Sequence, residues 1–365
     1  MVKVLLVSRD FKSPDRGGVV NYVTLLYNYL KDSDYEVEHF ILGYKKNFKF
    51  RFLLPFVYFN QFFKFKKVLK KIKPDIVHLN SSLVWGSIIR DFIFLKIAKF
   101  QKIHIIFFIH GWQKKISKKF ESPIFKQYYK RQFERADAII VLAEEFKQEL
   151  INLGIYSHKI FVSSTMVESV KYYPGDKEFS EPFTVLFCAS MKKEKGPFTV
   201  LNAVPHVLTK FPETKFLFIG SGKDLEELKE KTKEMGLANN VHFTGYVSEK
   251  EKQEYFKKSH IFVFPTEYGE GFPTVILEAM ASGIPLITTP VAGLKDVLED
   301  GKQGLIIVSN PPESREISQK IIQLLGEGKY IKQISENNIN EAKEKYDIIK
   351  VCKQIEKIYE MIVHR

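Results

Sequence analysis

IFVFPTEYGEGFPTVILEAMASGIPLITTP, residues 261–290, decides how the rest of the chain is read. Its first five residues form an apolar run of the kind buried in a parallel sheet. Gly269 and Gly271 mark a loop, and a helix follows. Pro273 suits the first helical turn, where its missing N–H leaves nothing unpaired. Gly283 stops the helix and a second apolar run begins. Strand, short loop, helix and strand make an α/β unit. Glu270 then sits in the loop at a strand's carboxyl end, and Glu278 sits on the helix about two turns in. In open α/β sheets ligands bind in the crevice beyond those strand ends. A helix N-terminus there offers N–H groups and partial positive charge to a phosphate. Two carboxylates beside it can accept hydrogen bonds from hydroxyls. Together they point to a nucleotide sugar, with phosphates at the helix end and sugar and ribose hydroxyls on the glutamates.

The whole chain fits such a unit repeated. Its 365 residues allow one large or two ordinary domains, and 45% hydrophobic content is enough to build cores. Cys188 and Cys352 are far apart and lack metal-ligand spacing, which suits a reduced, cytoplasmic protein. The first ten residues already read as a strand rather than a signal peptide, and no run of about 18 uncharged apolar residues appears. Net charge is +13, unevenly spread. Residues 1–180 hold 31 Lys and Arg against 17 Asp and Glu, while residues 181–365 hold 25 against 26. Only the first half is expected to face an anionic partner.

Residues 2–7 read as a strand. A polar loop ending in Gly17-Gly18 leads into a helix. That turn either brings backbone close to a phosphate or is a plain connection, since it is neither GxGxxG nor a P-loop. Asp32-Ser33-Asp34 has the Asp-x-Asp form of some metal sites, but lies in a helix-to-strand connection away from any strand's carboxyl end. Residues 44–73 hold ten Lys and Arg, ten Phe and Tyr, and no acid. Part of this segment reads as a helix with an aromatic face and a lysine face. It could lie on an anionic membrane, each basic residue contributing roughly 1 kcal/mol, or pack on its own sheet with the lysines solvated. A nucleic-acid surface is not expected, because no nucleic-acid-binding motif accompanies it. Residues 74–78 read as the next strand. Another, 103–113, ends at His110-Gly111, where a histidine could handle a proton, bond a substrate, or be a hydrogen-bonded core residue. Lys114, Lys115, Lys118 and Lys119 follow it. The polar stretch 172–182 is the expected domain boundary. Residues 184–190 begin a second run of strands and helices, with Lys195-Gly196 in its first loop and Gly220-Ser221-Gly222 and Gly245-Tyr246 in later ones.

Glu-x7-Glu with Gly-Phe-Pro after the first glutamate, Ala-Met-Ala after the second and Gly-Ile-Pro before the next strand closely resembles the signature of retaining GT-B glycosyltransferases, in particular glycosyltransferase family 4. The resemblance spans nearly the whole chain and is strongest over residues 183–308. It implies two Rossmann-like domains with parallel sheets facing across a cleft. Residues 1–175 would form the acceptor-side domain and residues 176–365 the donor-side domain, with the last helix crossing back to the first. It implies transfer of a sugar from a nucleotide diphosphate to a glycan or lipid-linked acceptor in cell-surface polysaccharide synthesis, with retention and without a metal or other cofactor.

By the same resemblance Gly17 and Gly18 face the donor, His110 reaches the donor sugar, and Lys195 meets the diphosphate. A lysine about 4 Å from a phosphate charge is worth about 4 kcal/mol at an effective dielectric near 20. Gly245 and Tyr246 would receive the base. Gly271, Phe272, Thr274 and Val275 would lie along the phosphates, with Glu270 on the transferred sugar and Glu278 on the ribose. The family usually has an arginine where this chain has Ser190, which Lys192 or Lys193 would have to replace. The SSTMVE stretch also departs from the family's Pro-Asn-Gly-Val-Asp-like turn. Four readings stay open: a glycosyltransferase, bound to membrane at the inner face; an inactive nucleotide-sugar-binding relative; an epimerase of the same fold; and a retaining glycosidase. The last needs carboxyl groups about 5–5.5 Å apart.

Overall fold

The computed structural model describes residues 1–12, 17–43, 54–267 and 271–364, residues 54–58 as backbone only. The chain forms two compact units. One holds Met1–Thr165, Glu270–Phe272 and Ile348–Arg365, and the other Met166–Gly269 and Pro273–Asp347.

In the first unit strands β1 (Val2–Ser8), β2 (Tyr35–Ile41), β3 (Ile76–Leu83), β4 (His104–Trp112), β5 (Ala138–Val141) and β6 (Ile160–Val162) form one sheet in the order β2-β1-β3-β4-β5-β6. Every pairing is parallel. Near-continuous apolar runs in β1, β4 and β5 are buried on both faces, as parallel strands require. Between the strands run helices α1 (Gly18–Lys31), α2 (Leu54–Ile72), α3 (Trp85–Phe100), α4 (Lys114–Ser117), α5 (Pro123–Phe133) and α6 (Glu144–Leu153). The aromatic face of α2 divides. Phe65 and Leu69 are buried, with Phe65 against Phe40 and Phe94 at ring distances of 5.1 and 4.4 Å, and Phe62 also meets Phe94. Phe59 and Phe63 are exposed beside exposed Lys64, Lys66, Lys67, Lys70 and Lys71. Residues 44–53 of the basic segment lie outside the described residues.

In the second unit α7 (Ser169–Tyr172) precedes β7 (Thr184–Cys188), α8 (Pro197–Leu208), β8 (Lys215–Ile219), α9 (Leu225–Glu234), β9 (Val241–Gly245) and α10 (Glu249–Lys258). Then come β10 (Ile261–Phe264), α11 (Thr274–Ala281), β11 (Leu286–Thr288), β12 (Gly304–Ile306), α12 (Ser314–Gly326) and α13 (Gly328–Glu341). The sheet runs β12-β11-β10-β7-β8-β9, again all parallel. Read from β9, its local order is 3-2-1-4-5-6, that of the dinucleotide-binding fold.

Residues 166–175, which the sequence reading gave to the first domain, belong to the second unit. The reason is local. Tyr172 is buried there and donates to Glu249 Oε1 at 2.6 Å, while Ser169 Oγ donates to Asp347 Oδ2. The last helix, α14 (Ile348–Val363), belongs to the first unit. Its Tyr359 is fully buried, and the hydroxyl shares a 2.7 Å hydrogen bond with His78 Nδ1. Tyr29 of α1 donates to Glu356 at 3.1 Å.

The two strand orders fix where each sheet opens. The chain reverses direction across the first sheet between β1 and β3, and across the second between β7 and β10. At such a point the following loops diverge to opposite faces and leave a crevice at the strand carboxyl ends.

Candidate active site

In the second unit the loops after β7, β8, β9 and β10 are knitted together at that crevice. Lys195 ends the turn that follows β7, and Gly196 after it has φ +82°. A Cβ on Gly196 would stand 2.5 Å from the Pro265 carbonyl oxygen, so the Lys-Gly pair can lie against the end of β10 only with glycine present. Gly220, at φ +131°, is pressed on the Ala189 carbonyl, and its N–H donates to Gly245 O at 2.9 Å. Ser190 is partly buried, and its carbonyl accepts from Lys192 N. Tyr246, beyond the edge strand, is exposed. Burial pulls the Lys195 ammonium down to about 8, and the neighbouring Lys192 charge adds to the effect. The Lys192 charge therefore acts on Lys195 in the region where Ser190 supplies none.

Pro273 caps α11 rather than starting it, with ψ 123°. Ile276 N already turns back to Pro273 O, so Thr274 and Val275 carry the leading N–H groups at the positive helix end. Glu278 lies in the second turn, 3% exposed. Lys252 Nζ of α10 donates to its Oε1 at 2.9 Å and also meets Glu249 Oε2 at 3.0 Å. Tyr172 gives its one hydroxyl proton to Glu249. Glu278 Oε2 is buried and has no partner among the described residues. Burial pushes the Glu278 carboxyl up, and the Lys252 ammonium opposes that. Burial also lowers Lys252, but Glu278 and Glu249 outweigh it and hold the ammonium above its ordinary value. A buried carboxylate oxygen without a donor is costly unless a ligand supplies one.

Glu270 lies outside the described residues, and with it the first half of the Glu-x7-Glu pair. Gly271 and Phe272 belong to the first unit, although β10 and α11 on either side belong to the second. A Cβ on Gly271 would stand 2.6 Å from the His110 carbonyl oxygen, and Thr165 Oγ1 donates to Phe272 O at 3.3 Å.

In the first unit His110 sits near the carboxyl end of β4, 7% exposed. Its ring stacks on Phe108 at 3.9 Å and meets the edge of Tyr22 at 4.9 Å. Its Nε2–H donates to Asn80 Oδ1 at 2.9 Å. The Asn80 amide hydrogens face the carbonyls of Val7 and His78, both at 3.4 Å, which fixes that orientation. Burial, helped by His78, lowers His110 to about 3. The imidazole is neutral, and Nδ1 is its acceptor nitrogen. Gly17 caps α1, receiving the N–H groups of Val20 and Asn21, and Tyr22 of that helix is the one touching His110.

The sequence reading missed Asn80 and Lys252. Asn80 follows His78 at strand spacing, two residues on. Lys252 stands four before buried Phe256 on α10, so the helix period alone turns it inward. The Asp32-Ser33-Asp34 stretch is a helix end and turn, and no group of three or more metal-ligating side chains occurs among the described residues.

The solved structures this chain resembles include glycosyltransferases of the GT-B fold. The chain matches the structure of Anabaena HepE in complex with UDP and glucose with a TM-score of 0.74 at 16% identity, covering 99% of this chain and all of that one. It matches sucrose-phosphate synthase from Thermosynechococcus elongatus with a TM-score of 0.77 at 17% identity, covering 99% of each. Residues 16–169 match Glycosyltransferase Family 4, and residues 174–341 match Glycosyl transferases group 1. An uncharacterised glycosyltransferase of Methanocaldococcus jannaschii is 26% identical over 327 residues, 85% of this chain and 81% of that protein. Phosphatidyl-myo-inositol mannosyltransferase of Mycobacterium tuberculosis is 29% identical over 182 residues, about half of each chain. The chain belongs to the family 4, group 1 glycosyltransferases and is a hexosyltransferase-type enzyme of GT-B architecture.

Proposed function

We propose that this enzyme transfers a sugar, with retention at the anomeric carbon, from a nucleoside diphosphate to a hydroxyl of a glycan or lipid-linked glycan. The observation that carries the reading is the second unit's crevice. There a half-buried lysine loop lies against the end of β10, and α11 starts with two leading N–H groups and holds a buried glutamate with one unpartnered oxygen. Lys195, supported by Lys192, and the N–H groups of Thr274 and Val275 stabilise the departing diphosphate, so that no metal is required. Glu278 accepts from the ribose hydroxyls, and backbone near Gly245 and Tyr246 receives the base. Glu270 serves the transferred sugar and favours positive charge growing at its ring, while Gly271 and Phe272 lie along the phosphates. His110, being neutral and sealed among aromatic rings, serves the sugar as a hydrogen-bonding group. Gly17 and Gly18, at the start of α1, are assigned to the donor. The leaving phosphate takes the acceptor's proton.

The acceptor side favours an anionic membrane surface, inside the cell, in the building of surface polysaccharide. Exposed Phe59 and Phe63 stand among five exposed lysines on α2. A second apolar group, Trp85, Ile124, Phe125 and Tyr128, is exposed on α3 and α5, with Lys119 Nζ 4.0 Å from the Trp85 ring. No described helix is long and apolar enough to cross a membrane, so the attachment proposed is peripheral. Liposome flotation tests it. Changing Lys64, Lys66, Lys67, Lys70 and Lys71 to Glu should abolish binding to anionic vesicles, and unchanged flotation would refute it.

Turnover tests the main reading. Purified enzyme with UDP-, GDP- and ADP-sugars and a membrane glycolipid extract should release nucleoside diphosphate only when acceptor is present. The product should keep the donor's anomeric configuration by NMR. Isomerised donor without acceptor would indicate an epimerase, and binding without turnover an inactive relative.

A further inference from the structure

Glu278 is buried with a charge it could hardly keep alone. Three other elements face it: α10 brings Lys252 and Glu249, α7 brings Tyr172, and β7 brings the buried Cys188. Among these groups Lys252 supplies the positive charge. It is itself mostly buried, and it bridges Glu278 Oε1 at 2.9 Å and Glu249 Oε2 at 3.0 Å. Tyr172 locks the far side of the bridge through its 2.6 Å hydrogen bond to Glu249.

We propose that Lys252 is a positioning residue for the donor site, which holds Glu278 as a carboxylate with Oε1 fixed and Oε2 left for the ligand. The inference rests on the reading of Glu278 as the carboxylate that binds ribose. The chemistry needs it. A ribose 2′,3′-diol presents two O–H donors, and a carboxylate can accept both, one on each oxygen or both on Oε2. A protonated carboxyl must itself donate one hydrogen bond, so one hydroxyl loses its acceptor. Without the ammonium, Glu278 would stand buried beside a like charge, Glu249, with the Tyr172 hydroxyl as the one neighbour still favouring its charged form, and would take up a proton more readily. Removing Lys252 therefore moves the loss of the diol clamp to a higher pH. Lys252 touches Glu278 rather than the ligand, so the effect should appear in binding and its pH dependence before anything else.

The probes are UDP, GDP and ADP, each with its 2′-deoxy counterpart, titrated by calorimetry between pH 6 and pH 8. In the wild type, affinity for the nucleotide that binds should be flat across this range, and the 2′-deoxy form should bind more weakly. In Lys252→Met, affinity should fall as pH falls, by up to about tenfold per pH unit, and level off once the carboxyl is protonated and one hydroxyl has lost its acceptor. Preference over the 2′-deoxy form should shrink in parallel. Lys252→Arg should restore the flat profile, which a merely misfolded variant would not do. Adding Lys252→Met to Glu278→Gln should introduce no pH dependence, because no carboxyl remains to titrate. A Lys252→Met profile as flat as the wild type's, while Glu278→Gln still weakens binding, would overturn the proposal and leave the donor reading intact. If no nucleotide binds, or Glu278→Gln binds as well as the wild type, the donor reading itself fails and the proposal with it.

Discussion

The two sheets are built alike, and the groups at their carboxyl ends are opposite in chemistry. In the first unit the end of β4 holds an imidazole kept neutral by Phe108, Tyr22 and burial, its proton committed to Asn80. In the second unit the crevice concentrates charge: Lys192 and Lys195 in one loop, and Lys252 bridging two glutamates behind α11. Strand order explains where these groups lie, since both sheets open at their topological reversal. The side chains explain what each end can hold. An ion-rich end suits a diphosphate and its ribose, while a neutral, aromatic end suits an uncharged, hydroxylated partner. Composition repeats the contrast in reverse: the basic excess lies in the first half of the sequence, while the His110 ring itself is packed on aromatic side chains.

That division of chemistry can be broken at several points. The largest effect is expected at Lys195. Removing one preorganised charge from a developing oxyanion typically lowers the rate about 10²–10³-fold, so Lys195→Ala should lower kcat/KM by that order. A change of threefold or less would take the diphosphate away from this loop. Next comes pH. Lys195 titrates at about 8, below an ordinary lysine, and only its cation helps. In the free enzyme, kcat/KM should therefore fall as pH rises through about 8, by up to about tenfold per unit. His110, lowered to about 3, should contribute no limb between pH 5 and 7. An inflection near 6.5 that disappears in His110→Asn would contradict the neutral-imidazole account.

A smaller effect tests the Gly271 contact. Gly271→Val places a Cβ only 2.6 Å from the His110 carbonyl oxygen and 2.7 Å from Leu142 Cδ1. Overpacking of this kind should destabilise by about 1–3 kcal/mol, seen as a lower unfolding midpoint in urea with an unchanged slope. The smallest is Tyr359→Phe, which leaves His78 Nδ1 buried without its 2.7 Å partner. The expected loss is about 1–2 kcal/mol, with nucleoside diphosphate binding unchanged, because the groups proposed to hold the diphosphate and ribose lie in the other unit.

Much of this was legible from residue order. Alternating apolar runs and helical periods gave two parallel α/β sheets, and glycines at 196, 271 and 283 marked turns whose close contacts the structure confirms. The carboxyl part of β3 was not legible. Asn80, Ser81 and Ser82 are polar, so the strand reading stopped at His78, yet Asn80 and Ser81 are buried in the sheet and Asn80 orients His110. The two faces of α2 were only half legible. Ten aromatic residues in one segment do not say which of them meet Phe40 and Phe94 and which meet solvent. Lys252 was hidden by company, one lysine among the many charges of α10, distinguished only by sharing a face with Phe256.

The account turns on Glu278 marking a nucleotide site, and the most direct measurement is thermal unfolding with nucleoside diphosphates and their sugars, wild type beside Glu278→Ala. A ligand at a hundred times its dissociation constant stabilises the fold by about 2.7 kcal/mol. The account predicts a raised midpoint with one nucleotide series that is lost in the variant. Equal shifts in both proteins, or none in the wild type at millimolar ligand, would contradict it.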